Sequence, residues 1–368
     1  MNNKNIIYVF ISGRKQKLKL PPTEYAKEFF YGYQHFEKTE HNVDIIEFNE
    51  KKSPLNLIYF ILNKLSDLPL YGQYLINREN YKKLKSADEI IFTNQKTAFS
   101  MLPLLLFVKI TRNINSHVFI MGLFGKTMKY RIKHFFREIF IKMMIISSKN
   151  LIFLGLGEYE LAVKKYTKYK DKFVFLPFSI DTKFWNNTQL QTENNNILFI
   201  GNDGMRDYKF LEDLIITLPE YNFNVVSSKF DSSITSKNLE IFKGDWGTYA
   251  FSDNFIKELY IKCSLTILPI KNTYQPSGQS VTLQSMSVGT PVMITKTDGF
   301  WDPKSFIDRR NIYLVEKNEI EVWRKSIANF FEEKEENQKV KLEGKKLILE
   351  KYNLEYFNQN LEKIIFKN

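Results

Sequence analysis

Cysteine is almost absent from this sequence: Cys263 is the one among 368 residues. A single thiol excludes an intramolecular disulfide and any multi-cysteine metal site, and it fits a reducing cytoplasm. Histidine is nearly as scarce. His35, His41, His117 and His134 show no metal-ligand spacing, and no Asp-x-Asp pair occurs anywhere in the chain, so no metal is expected. Long apolar runs are missing too. Ile6 to Ile11 and Met101 to Val108 are far short of the roughly 20 residues a spanning helix needs, and the first is too short for a secretory signal core with its cleavage site. It reads as a first β-strand, and no transmembrane segment is expected.

At 43.7 kDa the chain is long enough for two α/β domains, each with its own core. Hydrophobic residues make up 43%, and the 32 Phe and 20 Tyr argue against disorder. The net charge of +12 is lopsided. Residues 1–190 hold 30 Lys and Arg against 16 Asp and Glu, a surplus of +14, whereas the remainder is 23 against 25. A field of that sign in the first half suits an anionic partner, either nucleic acid or an acidic lipid surface; a basic bias serving only solubility is the plainer alternative. No recognisable RNA- or DNA-binding module accompanies it.

Short β-branched or aromatic runs alternate with longer amphipathic segments, the pattern of parallel sheets covered by helices. The first half predicts strands at Ile6 to Ile11, Val43 to Phe48, Glu89 to Thr93, Val118 to Met121, Leu151 to Leu154 and Lys172 to Leu176. The second predicts Ile197 to Ile200, Phe223 to Val226, Leu239 to Phe242, Leu265 to Leu268, Val292 to Ile294 and Ile312 to Val315. Each half is then a doubly wound unit. The polar stretch 186–196, without apolar periodicity, reads as a linker. The expected division is 1–185, linker 186–196, 197–350, and a C-terminal helix over 351–368.

Two turns could carry chemistry. The strand ending at Ile200 runs into Gly201-Asn202-Asp203-Gly204-Met205-Arg206-Asp207-Tyr208-Lys209 and then a helical pattern. A glycine turn before a helix exposes backbone N–H groups that suit a diphosphate, and Arg206 and Lys209, three apart, could share a face and clamp its oxygens. The strand Leu265 to Leu268 leads to Pro276-Ser277-Gly278-Gln279-Ser280-Val281-Thr282-Leu283-Gln284 and on to Gly289 and Pro291. Ser277 or Ser280 can cap this helix, Gly289 suits its left-handed end, and the Gln284 amide can lean toward a ligand at the helix mouth.

The run QPSGQSVTLQSMSVGTPVMIT resembles the donor-binding signature of glycosyltransferase family 4 and its GT-B relatives, with Gly278, Leu283, Met286, Gly289, Pro291 and Val292 in register. FVFLPFSIDTKFW and ILFIGNDGMRDYKFL resemble two further family motifs in the right order. The resemblance covers about residues 150–300 well and the first 150 in outline. It implies an α/β chain of the GT-B type: two Rossmann-like domains facing across a cleft, with the C-terminal helix packing back on the N-domain. It further implies a metal-independent, retaining glycosyltransferase without a cofactor, moving a hexose-type sugar from a nucleoside diphosphate sugar to a glycan or lipid-linked glycan of the cell envelope.

By the same resemblance, Arg206 and Lys209 stabilise the leaving nucleotide, and Gly201, Asn202, Ser277, Gly278, Gln279, Ser280, Val281 and Gln284 bind the donor. Gly13 and Arg14, after the first strand, face the acceptor. The family's paired glutamates would fall at Pro276 and Gln284, so neither carboxylate is present. Ribose contact then passes to the Gln284 amide, and sugar contact to backbone around Ser277, Gly278 and Gln279. Other readings of the same features are a binding protein of this shape without turnover, and a nucleotide-sugar 2-epimerase.

Gly122 to Thr127 mimics a phosphate-binding P-loop, but the spacing requires glycine where Ile120 stands. Residues 126–149 hold seven Lys and Arg and one acid, Glu138, with Phe135, Phe136, Ile139, Phe140 and Met143 at helical spacing. Such a helix either lies on an anionic membrane, placing the protein on the inner face of the cell membrane, or packs in the core with a solvated basic face.

Overall fold

The computed structural model describes residues 3–49, 54–125, 130–188, 194–231, 233–244 and 250–366. The chain divides into two compact units. Unit 1 comprises residues 1–20, 29–176 and 358–368; unit 2 comprises 21–28 and 177–357. This division differs from the one expected from composition. Residues 21–28 belong to unit 2, and the crossing point lies at Pro177, ahead of the polar stretch 186–196, of which 189–193 are outside the described residues.

Unit 1 is built on β1 (Asn5–Phe10), β2 (Asn42–Glu47), β3 (Glu89–Phe92), β4 (Asn115–Ile120), β5 (Asn150–Phe153) and β6 (Phe173–Phe175). They form one parallel sheet in the order β2-β1-β3-β4-β5-β6. Its helices are α1 (Arg14–Lys17), α2 (Tyr33–Phe36), α3 (Asn56–Ser66), α4 (Arg78–Ser86), α5 (Gln95–Thr111), α6 (Arg131–Ser147) and α7 (Leu156–Lys165). Alternate strand residues serve the two faces, as the pleat requires. Ile7, Val9, Ile90, Phe92, Val118 and Phe153 enter the core beneath α3 to α7. On the other face Tyr8 and Phe10 stack on each other and meet the edge of Tyr33.

Unit 2 repeats the plan with β7 (Asn196–Ile200), β8 (Asn222–Val226), β9 (Leu239–Phe242), β10 (Leu265–Leu268), β11 (Val292–Thr295) and β12 (Tyr313–Val315), in the order β12-β11-β10-β7-β8-β9. Its helices are α8 (Tyr208–Thr217), α9 (Asp253–Lys262), α10 (Gln279–Val288), α11 (Ile320–Glu332) and α12 (Lys334–Lys351). One face buries Ile197, Phe199, Leu265, Ile267 and Met293 with Trp323 of α11. On the other, α10 and α12 approach closely: a Cβ on Gly344 would lie 2.7 Å from the Asn311 carbonyl oxygen and 2.9 Å from Met286 Cε.

All twelve predicted strands are present, with ends displaced by at most a few residues. The last helix, α13 (Leu354–Phe366), begins in unit 2 and ends in unit 1. There it is fastened by Asn150 Nδ2 to the Ile364 carbonyl (3.1 Å), Lys149 Nζ to the Ile365 carbonyl (3.4 Å) and His35 Nε2 to Glu362 (2.9 Å). Among the described residues no helix is long and apolar enough to cross a membrane.

Candidate functional site

In an open α/β sheet, ligands settle beyond the carboxyl ends of the strands where the strand order reverses. In unit 2 that point lies between β7 and β10, and the two loops singled out in the sequence, 201–207 and 269–278, leave those two strands. They are zipped together by backbone: Asp207 N donates to the Pro269 carbonyl (2.9 Å) and Lys271 N to the Met205 carbonyl (2.8 Å). Arg206 pairs with Ile270 in an antiparallel bridge.

The Arg206 side chain crosses under Gly201, where a Cβ would lie 2.3 Å from its Nε; any larger residue would displace it. Nη1 donates to Ser277 Oγ at 2.7 Å and lies 3.0 Å from Asp203 Oδ2, while Ser277 Oγ donates to that same oxygen at 2.7 Å. The guanidinium is buried, but Asp203 remains partly open to solvent. A fixed cation with one exposed counter-charge therefore stands where the two loops meet.

Helix α10 starts beside this cluster. Its N-cap is Gly278 (φ 86°) with no side-chain cap, so neither Ser277 nor Ser280 caps it, contrary to expectation. Ser277 is drawn away by Arg206 and Asp203, and Ser280 sits half-buried in the first turn with Gln279 and Val281. A Cβ on Gly278 would lie 2.9 Å from Ile270 Cδ1 and 3.0 Å from Ile294 Cδ1, so conformation and space both demand glycine. The uncapped end leaves first-turn N–H groups without intrahelical acceptors, the arrangement that receives anions. At its far end Gly289 (φ 96°) closes the helix in the left-handed conformation read from the sequence.

The structure does not bring Lys209 to Arg206. Arg206 precedes the α8 cap, Asp207, whereas Lys209 lies within the helix and turns along it to Asp213 (2.9 Å) and Glu212 (3.5 Å), 76% exposed. Three-residue spacing places two side chains on one face only when both residues are helical, and Arg206 is in the bridge instead. Asn202 ties loops together. Its Oδ1 accepts from Ser228 N (2.6 Å) and Ser227 Oγ (3.1 Å), and its Nδ2 donates to the Gly244 carbonyl (3.0 Å).

Gln284 is not turned to the helix mouth. It is buried, accepting from Tyr260 Oη at 3.2 Å and donating to Glu28 Oε1 at 2.8 Å. Glu28 belongs to the segment 21–28 of unit 2 and was not singled out in the sequence. Its Oε1 also accepts from Trp185 Nε1 (2.7 Å), and its Oε2 from Asp181 N (3.3 Å). Burial pushes this carboxyl up to about 7, against the opposing pull of its hydrogen bonds to Gln284 and Trp185. A carboxylate thus does stand beside position 284, supplied from a distant part of the chain.

In unit 1 the strand order reverses between β1 and β3. Gly13 (φ 95°) follows β1 and opens α1. The backbone N–H groups of Arg14 and Lys15 both donate to Glu47, and the Arg14 guanidinium lies 5.6 Å from the Phe29 ring centroid. The P-loop mimic is occupied by the protein itself. Gly122, Leu123 and Phe124 N all donate to the buried Glu158 carboxylate, at 2.7, 2.5 and 2.9 Å; residues 126 and 127 of that motif lie outside the described ones. His117 is a core residue, 3.0 Å from Glu89 and 3.1 Å from Asn150, and burial holds its imidazole below the usual range.

No family model and no curated protein matches this sequence. Solved structures do match its fold across the whole chain. A glycosyltransferase from Rickettsia africae superimposes with a TM-score of 0.70 at 13% identity, covering 100% of both chains. HepE from Anabaena, in complex with UDP and glucose, gives 0.67 at 10% identity, again over 100% of both. The sucrose-phosphate synthase of Thermosynechococcus elongatus gives 0.69 at 11%, over 98% of each. The chain therefore has the GT-B fold of these transferases, two Rossmann-like α/β units in one polypeptide.

Proposed function

We propose that this protein is a glycosyltransferase that takes a nucleoside diphosphate sugar at the β7/β10 end of unit 2 and passes the sugar to a glycan or lipid-linked glycan. The observation that carries the reading is the Asp203, Arg206 and Ser277 cluster at the uncapped start of α10, at the reversal point of its sheet. The fold is shared with transferases solved with UDP, UDP-glucose and ADP.

In this reading the diphosphate takes the start of α10 and the Gly201 turn, with Gly278, Gln279, Ser280 and Val281 lending backbone N–H groups. The bond between the sugar's anomeric carbon and the phosphate oxygen breaks as the bond to the acceptor hydroxyl oxygen forms. The hydroxyl proton passes to the departing phosphate, with retention at the anomeric carbon. Arg206 stabilises the charge that develops there, a contribution on the order of 3 kcal/mol for one well-placed donor. No metal or cofactor is called for. Gly13 and Arg14 of unit 1 serve the acceptor, and a lipid-linked acceptor is met through peripheral contact with an anionic membrane.

A second reading has one observation in its favour. Pro276 and Gln284 replace the paired glutamates, and the Gln284 amide is already bonded to Glu28 and Tyr260, which suits a nucleotide-sugar binding protein without turnover. Thermal shift across UDP, GDP, ADP and their sugars tests both readings. One nucleotide family should stabilise the wild type, by about 2.7 kcal/mol at a hundredfold excess over Kd. Arg206→Ala should abolish the shift, whereas Lys209→Ala, whose ammonium points elsewhere, should keep most of it. Absence of any shift overturns the donor site; a shift without sugar transfer to any acceptor selects the binding protein.

A further inference from the structure

Helix α3 in unit 1 is apolar nearly all round, a composition suited to full burial or to lipid. Its inward side is supplied by Leu55, Tyr59 and Leu62, which pack on the core, and by Ser66. Its outward side is more apolar still: Leu57, Ile58, Phe60, Ile61 and Leu65 are 36 to 68% exposed. Helix α6 lies against it, with Arg137 Nη1 donating to the Asp67 carbonyl just after α3 (3.0 Å). The inward side of α6 carries Arg137, Ile141, Met144 and Ile145. Ile132, Phe135, Ile139 and Ile146, at helical spacing along its other side, are 38 to 68% exposed. The basic segment read from the sequence therefore packs one side on the core, as one of its two readings had it, and leaves a second apolar stripe in the open. Its residues 126–129 lie outside the described ones.

Cations are interleaved with these apolar side chains. Lys64, Arg131 and Lys142 are exposed on the same sides, and Lys64 Nζ stands 4.6 Å from the Phe60 ring centroid, an ammonium carried at the edge of an apolar surface. Helix α3 has no acid, and the single acid of α6, Glu138, is engaged by Lys165 and Tyr166, each at 2.7 Å. Pairing of this face with its own copy would oppose like charges across a two-fold axis. An anionic bilayer accepts the apolar side chains and the cations together.

We propose that the shared outward face of α3 and α6 docks unit 1 onto a bilayer of anionic lipid, with Leu57, Phe60, Ile61 and Phe135 entering the acyl boundary and Lys64 and Lys142 at the headgroups. This assigns a surface to the membrane contact named above and rests on that reading only for the acceptor. The full chain is sedimented with vesicles of phosphatidylcholine alone or with 30% phosphatidylglycerol. The wild type should bind the anionic vesicles at least tenfold more tightly, and lose binding in high salt.

Lys64→Glu with Lys142→Glu should weaken partitioning about 25-fold or more, at about fivefold per cation. Phe60→Ser, Ile61→Ser and Phe135→Ser together should weaken it at least tenfold. Both variants should keep the wild-type Tm and nucleotide shift, because the residues changed are exposed. Vesicle binding by the variants equal to the wild type, or wild-type binding indifferent to lipid charge, overturns the proposal. A wild-type dimer on light scattering that the serine variant makes monomeric also overturns it and assigns the face to a second copy. Loss of the nucleotide shift with vesicle binding intact would count against the donor site alone.

Discussion

The Glu28 carboxyl makes a quantitative test of the core of unit 2. Burial raises it to about 7 from an unfolded value near 4.5. Between those two values the folded protein binds more protons than the unfolded chain, so stability falls as pH rises through the window and is lowest above it. The difference withholds about 3 kcal/mol from the fold at pH 8. Glu28→Gln removes that penalty while keeping an acceptor for Trp185 Nε1 and Gln284 Nε2. Its new amide then meets the Asp181 N–H, donor against donor, which costs about 1 kcal/mol. The variant should therefore be about 2 kcal/mol more stable than wild type at pH 8, or about 4 to 8 °C in the melting of a domain this size. At pH 4 it should be about 1 kcal/mol less stable. Calorimetry of both proteins from pH 4 to 8 reads the difference directly, and a difference independent of pH, or a variant less stable at pH 8, would refute the reasoning.

Placing a carboxylate at position 284, Gln284→Glu, would set two acids about 2.8 Å apart in a buried site; they should share a proton, so Tm should drop above pH 7 and recover when Glu28→Gln is added, read by the same calorimetry. Gly278→Ala should cost about 2 to 4 kcal/mol in denaturant unfolding, since the alanine must hold a positive φ and its methyl meets Ile270 and Ile294.

The sequence alone determined what depends on short-range pattern. The central strands stood out because a strand covered on both faces is largely an apolar run, and turns after them are marked by polar residues and glycine. Gly289 was legible as a helix end because few other residues take its conformation. The two loops that meet beyond β7 and β10 were legible as strand-to-helix turns. Tertiary structure decided where the side chains went. Arg206 and Lys209 parted because a bridge to Ile270, itself 64 residues on in the chain, holds one of them outside the helix. Glu28 reached Gln284 across 256 residues, a separation that no local spacing can encode. Periodicity recorded that α6 had an apolar stripe, but which side of a helix meets the core depends on its neighbours: of that stripe Phe135 and Ile139 stand exposed, whereas Phe140 packs on the core.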